Sequence, residues 1–427
     1  MYAGTNNGSF QQGRTALAEL MDLEITAKQV ERVTEGFGRE RCAARDATVA
    51  RYLSLPLTER KDKPQGVTAP ALAVVGADGG RVQIRDASWL SPKKSAGGAA
   101  EALAAETEDV EALPPDETHR GTHWREDKIG LLMTMTSAEK DSDPCPEVPE
   151  AFIDPTRIVK LTRELKIKKA ATVEESKQEA VGPTDQAEEA EQVLRDEGQK
   201  VRWQPPEVNE KFLTATRRPW QAFGPMLAAQ AWAMGFYQAG RKAFLGDGSE
   251  NNWTLWRKHF SSFTPILDII HAISYVFAAA TAARPFAEGW PCYTRWMTWL
   301  WQGEVAKVIA EIAQRQAELG VSQEGDGETH PRVIVETALG YLQNHKDKMR
   351  YPDYRRQGLP ITSSYVESAV KQFNQRVKGT EKFWTEEGAE ALLQLRADYL
   401  GTTNPLPEFW QTRQDNATGQ ITYSQAV

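Results

Sequence analysis

Apolar and polar positions follow two different periods along the 427-residue chain. Near the start the spacing is helical. Arg14 to Met21 (RTALAELM) predicts one helix and Thr26 to Phe37 (TAKQVERVTEGF) the next, with Thr26 as N-cap and Val30, Val33 and Phe37 on one face. The intervening DLEI is the turn. This pair predicts a helix–turn–helix whose second helix presents Lys28, Gln29 and Arg32 outward, and an ordinary helical hairpin fits the same pattern equally well. Residues 1–12, rich in Gly, Asn and Gln, predict disorder. Residues 56–69, rich in Pro and Lys, predict a linker.

The period then shortens. Ala71 to Ala77 is an apolar run that ends in Asp78-Gly79-Gly80, Arg81 to Arg85 alternates, and Ile129 to Thr136 is a third strand. Strand, glycine turn and strand together predict a hairpin. Ala243 to Gly246, ending at Asp247-Gly248, and Ile266 to Ile270 are further strands. Helical spacing covers Phe223 to Gly240, the stretch to Ala283, almost all of 284–350, Ser363 to Val377 and Glu386 to Leu400. Pro352 to Pro360 reads as a basic loop and the tail after Pro405 as irregular. The predicted organisation is an N-terminal helical segment (1–55), a linker (56–69), a mixed α/β core in two parts (70–283 and 351–404) split by a helical insertion (284–350), and a tail (405–427).

Composition narrows the function classes. The chain is 40% hydrophobic, enough for sizeable cores, yet no apolar run is long enough to span a bilayer. No signal peptide is recognisable, which predicts a cytoplasmic protein. Cys42, Cys145 and Cys292 are far apart, which argues against both a disulfide framework and a four-cysteine zinc site. The net charge of −8 argues at first against nucleic acid. Its distribution reverses that. Residues 101–118 carry seven acids and no base, and residues 172–199 carry nine acids and two bases. Each segment thus contributes −7, and the remainder of the chain is +6. Both acidic inserts, near 95–118 and 172–199, predict mobile or helical excursions from the core. Residues 345–382 hold nine Lys/Arg against four acids, a basic working surface.

Three acids stand where phosphodiester chemistry would need them. That chemistry requires an activated oxygen and a stabilised leaving oxygen, which paired divalent ions held by clustered carboxylates supply. Magnesium prefers oxygen ligands and keeps several waters, so few carboxylates suffice. Asp78 ends an apolar run and is followed by two glycines. Asp247 ends another and is followed by one. Glu367 lies in SSYVESAVKQFNQRVKG, with Lys371 four residues on and Arg376 and Lys378 beyond. Each signal has a plain reading as well: an Asp-Gly turn, or a solvated ion pair on a helix.

Five segments together resemble the DDE transposases of bacterial insertion sequences, and most closely the ISKra family. They are VVGADGGRVQIR, HWREDKIGLLMTM, AFLGDGSENNWTLWRKHFSSFTPILDIIHAISYV, YLQNHKDKMRYPDYRRQGLPITSSYVESAVKQFNQRVKGTEKFW and EEGAEALLQLRADYL, and the resemblance runs from about Thr15 to Tyr423. It implies an α/β fold: an RNase H-like mixed-sheet catalytic core with a large α-helical insertion before the last catalytic acid. It implies Asp78, Asp247 and Glu367 as a metal-binding catalytic triad. The 119 residues between Asp247 and Glu367 leave room for the insertion. Asp268-Ile269-Ile270-His271 matches a D-x-x-H signature of related transposases. The implied cofactor is Mg²⁺, with Mn²⁺ as a substitute. The implied partners are element-end and target DNA, bound by a homodimer or higher oligomer near the bacterial nucleoid. Cysteine pairs of zinc-ribbon spacing, usual near the start of such proteins, are missing, and the acidic insert at 172–199 is not part of the family pattern.

Around this triad, Arg350, Arg355, Arg356, Lys371, Arg376, Lys378 and Lys382 are expected on DNA phosphates, and Trp384 on a base. Trp290, Trp296, Trp299 and Trp301 read as packing of the insertion, and His271 as a structural histidine bonded to Asp268 or backbone. Two other functions fit the chain: a catalytically idle DNA-binding protein derived from a transposase, and an RNase H-fold nuclease that cuts without joining.

Overall fold

The computed structural model describes residues 1–85, 123–171, 204–379 and 381–417. Both acidic inserts lie outside the described residues. The centre is a mixed sheet. Strand β1 (Leu72–Ile84) pairs antiparallel with β2 (Trp124–Thr136), and β2 pairs antiparallel with β3 (Glu207–Thr216). On its other side β1 runs parallel to β4 (Arg241–Gly246), and β4 runs parallel to β5 (Thr264–Leu267). The order is therefore β3-β2-β1-β4-β5, with two residues of β6 (Phe383–Trp384) added parallel to the far end of β1.

The expected hairpin at Asp78-Gly79-Gly80 does not form. These residues pair with Ile129, Lys128 and Asp127, so β1 is one uninterrupted strand of 13 residues. Glycine permits a turn without dictating one. Here β2 is equally long, so both halves of β1 find their partner on the same strand. The strand β3 was not expected at all. Only its last three residues are buried and its first half is charged, so it lacks the apolar run that marks a strand. The predicted strand over Ile266 to Ile270 stops at Leu267, because the Asp268 carboxylate accepts from the Ile270 N–H at 2.8 Å and starts a helix.

Helices cover both faces of the sheet. On one, Phe223 and Leu227 of α5 (Trp220–Ala233) fill the space above Gly130. On the other, α12 (Ser364–Val377) and α13 (Glu386–Leu400) bury Phe373, Val377, Leu392 and Leu393 against Val82, Ile84 and Ile129. Between β4 and β5 runs α6 (Glu250–His259), and after β5 runs α7 (Ile269–Thr281). The expected helical insertion is α8 (Phe286–Trp301), α9 (Val305–Leu319) and α10 (Pro331–His345). Trp296 and Trp301 are buried within it, as packing residues should be. The predicted basic loop after it contains a short helix, α11 (Tyr351–Arg356).

The termini are more ordered than their composition suggested. Residues 2–6 form α1 (Tyr2–Asn6), and α2 (Phe10–Met21) begins within the stretch expected to be disordered. Thr26 does cap α3, but α3 (Ala27–Ser54) runs for 28 residues and lies along α13, tied by Arg41 to Asp398 and by Arg45 to Glu390. The linker docks too: Lys61 Nζ donates to the His259 carbonyl at 2.6 Å, and Trp232 Nε1 donates to the Glu59 carbonyl at 3.0 Å. The tail forms α14 (Leu406–Asp415), whose Trp410 meets Phe37 edge to face at 4.7 Å. An α4 (Pro155–Ala171) completes the described helices. Among the described residues no helix is long and apolar enough to cross a membrane.

Candidate active site

Sheet register brings the first two acids to the same end of the sheet. The β1–β4 ladder ends with Gly76 opposite Leu245. Asp78 follows two residues later within β1, and Asp247 follows Gly246, the last residue of β4. Asp78 lies on the face of β1 that also carries Gly76 and Val82, because side chains alternate. That is the face α12 covers. The close approach is possible because residue 76 is glycine: a Cβ there would sit 2.6 Å from Val366 Cγ2. Val366 therefore rests on the strand, and Glu367 follows it at the first turn of α12.

The electrostatics of Asp78 register burial first and then its charged neighbours. Burial pushes the Asp78 carboxyl up to about 7, the Asp247 charge adds to it, and Glu367 adds less; the Gly79 N–H, 2.7 Å from Oδ1, and His271 pull the other way. Asp247 is oriented from its own loop. Its Oδ1 accepts from the Ser249 N–H and from Asn252 Nδ2, both at 2.9 Å. The plain turn reading of this Asp-Gly is thus true in part, since the Ser249 bond closes a tight turn. The buried Asn252 was not singled out in the sequence; the signal was there in the D-G-S-E-N-N run, where Ser249 caps α6 and places Asn252 under Asp247.

His271 Nε2 stands 3.6 Å from Glu367 Oε1, with both side chains half-buried. Burial alone would lower the imidazole, but Glu367, Asp268 and Asp247 outweigh it and lift it to about 9. The expected bond from His271 to Asp268 or backbone is replaced by this contact with Glu367. Donor atoms of Asp268, His271 and Glu367 lie within 4.8 Å of one another, a spacing a metal could bridge. Asp268 is fully buried, however, and its two oxygens already accept from the Ile270 N–H and the Ser363 hydroxyl. Its work is to cap α7 and tie it to the start of α12. The set Asp78, Asp247 and Glu367 offers oxygen ligands alone, which suits a hard divalent cation.

Several expected DNA contacts turn out to be internal. Arg355 is fully buried: Nε donates to Asp143 Oδ1 at 2.9 Å, and the guanidinium lies 4.0 Å from the centre of the Trp301 ring. Arg376 is buried as well, donating through Nε and a terminal nitrogen to the Gly4 carbonyl between Phe10 and Trp384. Trp384 is buried and donates to the Val377 carbonyl at 2.9 Å, so its face is not open to a base. Lys382 closes the end of α12 by donating to the Gln375 and Arg376 carbonyls. In the N-terminal pair, Gln29 is taken up in a capping box with Thr26, and Lys28 pairs with Glu31 at 2.7 Å. Arg32, Arg350 and Arg356 are exposed, while Lys371 and Lys378 are half-exposed, the latter over the Trp124 ring at 5.3 Å. Sequence reasoning also missed Tyr341, whose hydroxyl reaches the Asp247 carbonyl.

No protein-family model matches the chain, and no curated protein matches it significantly.

Proposed function

We propose that this protein is a DDE-type transposase with an RNase H-like core, cutting DNA and joining a 3′-hydroxyl end to target DNA. The observation that supports the reading is that the buried Asp78 on β1 feels the charges of both Asp247, just past the end of the neighbouring parallel strand, and Glu367, on a helix seated on Gly76. The strand order supports the core, antiparallel through β3-β2-β1 and parallel through β1-β4-β5. So does the helical insertion α8–α10 that lies between the second and third acids.

Asp78, Asp247 and Glu367 would hold Mg²⁺ or Mn²⁺. When bound, such ions activate the attacking oxygen and stabilise the leaving oxygen of a phosphodiester. The chain's own residues do the positioning. The β1 backbone fixes Asp78, Ser249 and Asn252 fix the rotamer of Asp247, and His271, 3.6 Å away, aims Glu367. The exposed guanidiniums of Arg350 and Arg356 hold phosphates without reading sequence, and Arg32 on α3 is available to a groove edge.

The test uses a duplex ending in the DNA that flanks the reading frame, with a labelled 3′-hydroxyl, and a plasmid target. Mg²⁺ and Mn²⁺ should support cleavage and covalent joining, Ca²⁺ should support binding alone, and Asp78→Asn, Asp247→Asn or Glu367→Gln should each abolish both reactions. Cleavage without joining would make the protein a nuclease. Full activity in Asp78→Asn would remove that residue from the site.

A further inference from the structure

Helix α10 belongs to the insertion, yet one of its side chains ends at the turn that carries Asp247. Tyr341 Oη donates to the Asp247 carbonyl at 2.7 Å. Its ring lies directly on Gly248, where φ is +100° and a Cβ would come within 2.4 Å of Tyr341 Cε2. Tyr275 of α7 stacks on the other face, ring centres 3.8 Å apart at 19°, and His345 meets the edge at 4.9 Å. The turn is gripped twice: at its carbonyl by the insertion, and at its carboxylate by Ser249 and Asn252.

We propose that Tyr341 is a positioning residue, through which the helical insertion fixes the Asp247–Gly248 turn and so the aim of the second carboxylate. This rests on reading Asp247 as a metal ligand. Residues behind a metal ligand commonly govern metal affinity roughly 10–100-fold. A tyrosine that merely pins a helix to the sheet would have no such effect, and the molecule contains that case. Tyr354 Oη donates to the Pro265 carbonyl of β5 at 3.1 Å, the same bond made away from the carboxylates.

The experiment measures Mn²⁺ binding to the full chain without DNA, by the electron paramagnetic resonance signal of the free ion. Tyr341→Phe keeps the ring, its stack on Tyr275 and its seat on Gly248, and loses the hydroxyl alone. It should weaken Mn²⁺ binding roughly tenfold, and Tyr354→Phe should leave it unchanged. Hydrogen exchange at the Gly248 and Ser249 amides should quicken in Tyr341→Phe only, a readout that needs no metal. Asp247→Asn should abolish tight binding. Wild-type Mn²⁺ affinity in Tyr341→Phe beside loss in Asp247→Asn overturns the positioning role and leaves the metal site standing. Wild-type affinity in Asp247→Asn overturns the metal-site reading itself. An equal weakening in Tyr341→Phe and Tyr354→Phe reduces Tyr341 to packing.

Discussion

Asp78 is an acid placed where burial makes its charge unwelcome. Its carboxyl is raised to about 7 from an ordinary value near 4. A group whose folded pKa lies above its unfolded one contributes stability that is present below the unfolded value and lost as pH rises through the folded one. The metal-free protein should therefore lose stability between about pH 4 and pH 7 on account of this residue. Asp78→Asn removes that loss. In EDTA the variant should be more stable than the wild type at pH 8, by an amount on the order of 4 kcal/mol, and gain little at pH 4. Urea denaturation at the two pH values checks this, and an equal difference at both would show that Asp78 is not under strain from its neighbours. Asp78, Asp247 and Glu367 stood out in the sequence by their order and context, since each signal alone has a plain reading. The internal cations were not. A buried Arg355 looks like any surface arginine until Asp143 and Trp301, distant in sequence, close around it. Composition counted it toward the basic surface, and burial takes it out.

At the scale of elements, the site depends on how closely α12 can approach β1. Val366 occupies the place a side chain at position 76 would need. Gly76→Val should overpack this contact, costing about 1–3 kcal/mol, and should lift Glu367 away from Asp78. Val366→Ala opens space, so the double variant should recover much of the stability lost. Thermal melts of the two single variants and the double form a cycle, and strictly additive effects would show that the two residues do not share the contact. Elements with strong local signals were readable. Helix α13 matches its predicted span of Glu386 to Leu400 because Thr385 caps it and Gly401 follows its end. Strand β3 and helix α14 were invisible, since both are amphipathic only against surfaces supplied by distant parts of the chain. The Asp78-Gly79-Gly80 stretch was misread as a turn for a related reason: its partner strand, β2, lies more than forty residues away in sequence.

The whole molecule joins its ends to its centre. Arg376, on the helix that carries Glu367, donates to the Gly4 carbonyl, and Arg396 of α13 donates to Asn6 at 2.6 Å. Helix α3 spans α13, and α14 returns to α3 through Trp410 and Arg413. The N-terminal helices are thus built onto the helices that cover the Asp78 face of the sheet rather than tethered beside them, so under the proposed function DNA held at Arg32 would keep a fixed bearing to the carboxylates. The claim on which all of this turns is that Asp78, Asp247 and Glu367 form one cation site. Anomalous diffraction from crystals grown with Mn²⁺ tests it most directly. The account predicts an anomalous peak bonded to carboxylate oxygens of Asp78 and Asp247, with Glu367 on the same ion or on a second one about 3.5–4 Å away. Manganese bound instead by Asp268 and His271, or no peak near Asp78 at millimolar metal, would contradict it.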